Sequence, residues 1–125
     1  MGKRAAKFSA PDLRGILDRA RKECRWSEDD AEYAKLWYTR FLEMSWQNNG
    51  KPIYYISRKS DCLWHAHMLY SRRYRSYCDK VFGQYLDHTP TNPRFIPAPK
   101  QRKRANTMYK RTYGGLPPDA STCCY

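Results

Sequence analysis

The side chains that could do chemistry crowd into one stretch. Asp61, His65, His67, Cys78 and His88 lie within 28 residues. Imidazole, thiol and carboxylate are the donor types that suit Zn²⁺, which takes four N, S or O ligands in a tetrahedron. On a helix Asp61 and His65 are four apart and share a face, whereas His65 and His67 point about 200° from each other. One ion cannot easily take both histidines. A zinc centre therefore needs His65 or His67 from one helix, with Cys78 and His88 brought in by a chain reversal near Ser71. Neither C-x-x-C nor H-E-x-x-H spacing occurs, so no local pattern demands a metal. The competing reading makes His65 a satisfied structural histidine, paired with Asp61 or a backbone carbonyl. A Cys78–His nucleophilic pair would need an activated thiolate beside a base, and no oxyanion-hole glycines accompany it. No catalytic residue is assigned. The expectation is a protein that is not an enzyme and has no cofactor, zinc being the one candidate.

The elements that must position these groups read as helices. Ser9-Ala10-Pro11-Asp12 has a capping Ser followed by Pro and Asp in the first turn. Leu13, Ile16, Leu17, Ala20 and Cys24 follow on one apolar stripe, which predicts a helix over about 11–24. Ser27 caps a second helix whose first turn holds Glu28, Asp29 and Asp30, where the helix dipole favours negative charge. Its stripe is Ala34, Trp37, Tyr38, Phe41 and Leu42, and Asn48 to Pro52 ends it as a turn. Ile53 to Ile56 is extended but too short to imply a sheet. Ser60 starts a third helix near 61–70, and Ser71 a fourth near 72–82 with Gly83 in the terminating position. Trp64, Leu69, Tyr74 and Phe82 read as core, with Asp61 and Gly83 as structural residues beside them. After Pro90 the frequent prolines argue against continuous helix or a central strand.

The segment from Asp61 to His88 resembles the glycine-rich domain-containing protein-like family. The likeness runs without gaps through Asp61, Trp64, His65, His67, Leu69, Ser71, Tyr74, Cys78, Phe82, Gly83 and His88, eleven positions in 28. It extends to Tyr38, Phe41 and Leu42 in the preceding helix. Tyr77 stands where that family usually has Asp, Asp87 often replaces a His, and no glycine-rich tract is present. The resemblance implies a fold more than a function.

Charge divides the 125 residues. Residues 1–25 carry eight Lys/Arg against three Asp/Glu, 26–90 carry nine against eight, and 91–125 carry seven against one. The net +12 thus sits at the two ends, while all four Trp fall in the near-neutral middle. The predicted architecture is an all-α, four-helix module over 11–90, with an extended basic N-terminal arm over 1–10 and an extended Pro-rich basic arm over 91–125. In that last arm Lys100, Arg102, Lys103, Arg104, Tyr109, Lys110, Arg111 and Tyr113 are the candidate partner-binding residues. Basic arms gain free energy from a polyanion or an acidic protein groove. The leading expectation is a non-enzymatic assembly protein whose arms bind neighbouring subunits in a large particle, such as a minor capsid protein in the virion of a large DNA virus. The alternatives are a nucleic-acid-binding protein using the same arms, since aromatic stacking with Lys/Arg holds single strands, and a zinc-dependent enzyme at the Trp-His-x-His segment. The Lys100–Arg104 run also resembles a nuclear localisation signal, so cytoplasm or nucleus is the alternative location.

No run of 18 apolar residues occurs and residues 1–10 lack an apolar signal core, so neither a membrane span nor a secretory leader is expected. Ala6 breaks the myristoylation pattern that Gly2 opens. Five cysteines without a leader argue against a disulfide scaffold. Cys24, Cys62 and Cys78 read as small buried apolar residues. Cys123 and Cys124 read as exposed, and open to crosslinking, metal or acylation.

Overall fold

A computed structural model describes residues 2–53, 55–88 and 99–122. Among these are five helices and one small antiparallel sheet: α1 Ile16–Cys24, α2 Glu28–Gln47, β1 Tyr55–Ser57, α3 Arg58–Leu69, α4 Ser71–Val81, α5 Pro99–Tyr113 and β2 Ala120–Thr122. The protein is mainly α, as its periodicity predicts, but the helix count is five rather than four. No helix among the described residues is long and apolar enough to cross a membrane.

Helix α2 is the spine. The Ser27 hydroxyl accepts from the Asp30 N–H while the Asp30 carboxylate accepts from the Ser27 N–H, a reciprocal capping box that satisfies two otherwise orphaned donors. Its stripe, Ala34, Trp37, Tyr38, Phe41 and Leu42, is buried as expected. Helix α1 starts later than predicted. Asp12 folds a local turn by accepting from the Arg14 backbone and guanidinium, and Gly15 at φ 78° then caps the helix. Ser9 instead accepts the Tyr77 hydroxyl on its carbonyl. Helix α3 begins three residues earlier than predicted. Ser57, not Ser60, caps it, and the buried Ser60 hydroxyl donates to the Ala34 carbonyl, tying α3 to α2.

The largest departure is at the ends. The predicted C-terminal arm is not extended over 99–113 but helical. Pro99 occupies the first helical position, where its missing N–H costs no intrahelical bond. Ala105 and Tyr109 are buried in the core. Arg104 lies at Asn48, while Tyr113 hydrogen-bonds Glu43 and the Arg40 carbonyl, so α5 runs back along α2. Beyond it the chain returns to the middle of the fold, pairing β2 with β1 in the register Tyr55↔Thr122 and Ser57↔Ala120. Ile53 to Ile56 therefore does lead into a sheet, with a partner near the C-terminal end of the sequence. Residues 89–98, 123–125 and Tyr54, and with them the roles expected of Cys123 and Cys124, lie outside the described residues.

The N-terminal arm is docked too. The Gly2 N–H donates to the Gly83 carbonyl (2.8 Å), the Ala5 N–H to the Val81 carbonyl (3.0 Å), and the Trp46 indole to the Ala5 carbonyl (2.9 Å). Gly83 is required twice over. Its φ is 69°, and a Cβ there would lie 2.5 Å from the Gly2 carbonyl oxygen.

Candidate nucleic-acid interface

Of the four residues predicted to gather around a metal, His65 and His88 line one cleft beside Asp61, whereas His67 and Cys78 are buried in the core. His67 is buried, sharing a 2.7 Å hydrogen bond with the Tyr38 hydroxyl through Nδ1 and ringed by Tyr74 and Tyr77. Burial first, and then the Arg73 charge, holds its pKa down to about 4, so the imidazole is neutral. His65 points the other way and is exposed. Cys78 is buried, and its pKa is raised, by burial before anything else. Such a thiol stays protonated and is a poor nucleophile. Among the described residues no group of three or more His, Cys, Asp or Glu is placed to hold a metal ion.

His88 has a different partner. Its ring stacks on Trp64, with centroids 4.0 Å apart and planes within 5°. Its Nε2 lies 2.7 Å from Asp61 Oδ1, an electrostatic contact rather than a well-directed hydrogen bond. The Trp64 indole donates to the Tyr74 hydroxyl (2.8 Å), which in turn donates to the Leu86 carbonyl. The segment 84–88 is thereby fastened to α3. The other imidazole nitrogen, Nδ1, is buried without a partner among the described residues. Trp64, Tyr74 and Phe82 are core as predicted. Leu69 is not: it is 53% exposed, on the side of α3 opposite Ser60, Trp64 and His67. Asp61 is half-buried. Cys24 and Cys62 are exposed, against the expectation of burial.

The predicted partner-binding residues fare differently, because the helix sorts them by face. Tyr109 is fully buried, with its ring 5.9 Å from Trp37. Tyr113 is half-buried, edge-on to Trp37 and bonded to Glu43. Neither is available for stacking on a base. The cations take the outer face. Lys100, Lys103, Arg104, Lys110 and Arg111 are exposed, with Thr107 among them, and Arg102 is half-buried on the inner side. Positions 100, 103, 104, 107 and 111 fall within an arc of about 100° along about 16 Å of axis. No acidic residue occurs in α5, and among the described residues none of these cations makes an ion pair. Arg104 donates instead to the Asn48 side chain (3.1 Å). Gln47, Lys51 and Asn48 at the end of α2 border the same face, which has shallow hollows on either side of Arg104. Arg40 extends it, stacked over both Trp37 (4.6 Å) and Tyr113 (4.7 Å).

The sequence reading missed what places this stripe. Asp119 fastens the chain beyond α5: its carboxylate accepts from the Tyr33 hydroxyl, the Ser57 hydroxyl (3.0 Å) and the Lys59 N–H (3.1 Å) at the start of α3. Burial works to raise its pKa, but these three donors outweigh it and the net shift is downward. Asp119 is the one acid among the last 35 residues, the only local sign of its role.

No curated protein and no solved structure matches the chain. A family model does: UCP032817-like aligns with residues 10–116. That span takes in every helix from α1 to α5, the folded-back α5 included, and the chain therefore belongs to the UCP032817-like family.

Proposed function

We propose that the protein is a non-enzymatic binder of nucleic-acid phosphate backbones, acting through the outer face of α5 as a basic component of a larger particle. The observation that carries this reading is the α5 stripe: five exposed cations, no acid in the helix, and no ion pair to any described residue. Neutralising phosphates with such side chains releases condensed counterions, which supplies most of the sequence-independent affinity for nucleic acid. The inward turn of Tyr109 and Tyr113 removes the base-stacking platform that the sequence suggested, so the contacts are with phosphates, which position without reading sequence. The buried protonated Cys78 and the neutral His67 support a non-catalytic reading. Within the segment that resembles the glycine-rich domain-containing family, Trp64 and Tyr74 anchor 84–88, a structural use that fits the same view. Stitching of subunits by a free C-terminal arm finds no support over 99–113.

Fluorescence anisotropy with labelled mixed-sequence DNA and RNA tests the proposal. Lys100→Gln/Lys103→Gln/Arg111→Gln should weaken binding at least about tenfold at low salt and leave the thermal midpoint within about 2 °C, because all three side chains are exposed. Wild-type protein that binds neither polymer, or a triple variant that binds as tightly as wild type, would refute it.

A further inference from the structure

A cleft of about 540 Å³ lies between α1 and α3, away from the α5 face. Ala20, Ala66 and Met68 line its apolar part, and Cys24 and Cys62 both line it as well, with Cys24 near enough to act on the Cys62 thiol. Cys24 is the last residue of α1 and Cys62 sits in the first half of α3. Both are exposed, unlike Cys78. Two accessible thiols on helices that pack against each other, facing one cleft, are placed for reaction with a small thiol reagent and then with each other.

We propose that Cys24 and Cys62 form a redox modification site, closing a reversible intramolecular disulfide by exchange with a small-molecule disulfide of the glutathione type. In the first step the Cys24 thiolate attacks one sulfur of the small disulfide. That S–S bond breaks, and one small thiolate leaves. Cys62 then loses its proton to water and attacks Cys24 Sγ. The mixed S–S bond breaks and the second small thiolate leaves. Two protein thiols are oxidised by two electrons, one disulfide is reduced to two thiols, and the two protons given up by the protein are taken up by the leaving thiolates. Cys62 acts second because partial burial, then the Cys24 and Asp61 groups beside it, push its thiol pKa up.

The bond would tie the end of α1 to α3 and enclose the whole of α2 in a covalent loop. Such a loop restricts the unfolded chain more than the folded one. The inference is independent of nucleic-acid binding, which uses the other helix.

The test treats the full chain with glutathione disulfide, blocks free thiols, and maps linkages by mass spectrometry of a non-reduced digest. The expected product is a Cys24–Cys62 crosslinked peptide as the main linkage, with a thermal midpoint raised by about 5–10 °C that returns to its starting value on reduction. Cys24→Ser, an exposed and near-isosteric change, should abolish both the crosslink and the rise. Separate glutathione adducts on Cys24 and Cys62, unmodified thiols at both, or preferential linkage of either to Cys123 or Cys124 would each overturn the proposal.

Discussion

His65 and His67, two positions apart, show how burial decides what an imidazole can do. Their opposite directions were legible from helix geometry alone. Which one faced inward was not, because that depends on where α2 lies. Leu69 misled for a related reason. Its residue type says core, but Ser60, Leu63, Trp64 and His67 set the buried face of α3 and Leu69 falls opposite them. The burial of His67 has a measurable consequence. Its pKa is about 4 in the folded protein against an ordinary value of 6.5. Between those values the unfolded chain holds a proton that the folded chain does not, so stability rises with pH through this window. The stabilisation is complete above about pH 6.5 and is lost as pH falls toward 4, by about 3 kcal/mol in total. Urea midpoints measured from pH 4 to 7 should slope less steeply for His67→Gln than for wild type. Identical slopes would show that His67 does not titrate with folding.

At the scale of elements, the ends of the helices were easier to read than their partners. Ser27 with Asp30 three residues on announced the start of α2, and Gly83 the end of α4. Helix α5 was passed over because prolines dominate its approach, yet every proline from 90 to 99 lies before the helix or at its first position, where proline is tolerated. The apolar positions Ala105, Met108, Tyr109 and Tyr113 carried a helical period inside a sequence rich in charge. The sheet could not be read locally at all, since three-residue strands more than 60 residues apart have no pattern of their own. Asp119 is the fastener of that arrangement. Its three donors come from α2, β1 and the first turn of α3, where a negative charge is also favoured by the helix dipole. Asp119→Ala should cost about 2–3 kcal/mol by denaturant unfolding and open the 114–122 segment to limited proteolysis. A change under about 0.5 kcal/mol with unaltered proteolysis would mean that the segment is held by other contacts.

Over the whole molecule, the partition of charge in the sequence is real but its meaning changes with the fold. Both basic ends fold back, one across Gly83 and Trp46, the other along α2. Among the described residues the excess positive charge of the two ends is thus carried on packed segments instead of free arms, with α5 as its most coherent display. A fixed row of cations meets a polyanion without first paying to order itself, unlike a disordered tail that folds on binding. The most direct test of this account is the salt dependence of wild-type binding to mixed-sequence duplex DNA. Four to five phosphate contacts from the α5 stripe predict that log K falls against log salt with a slope of about −4. A slope near zero would contradict the central claim, because affinity of that kind would not come from a row of cations displacing counterions.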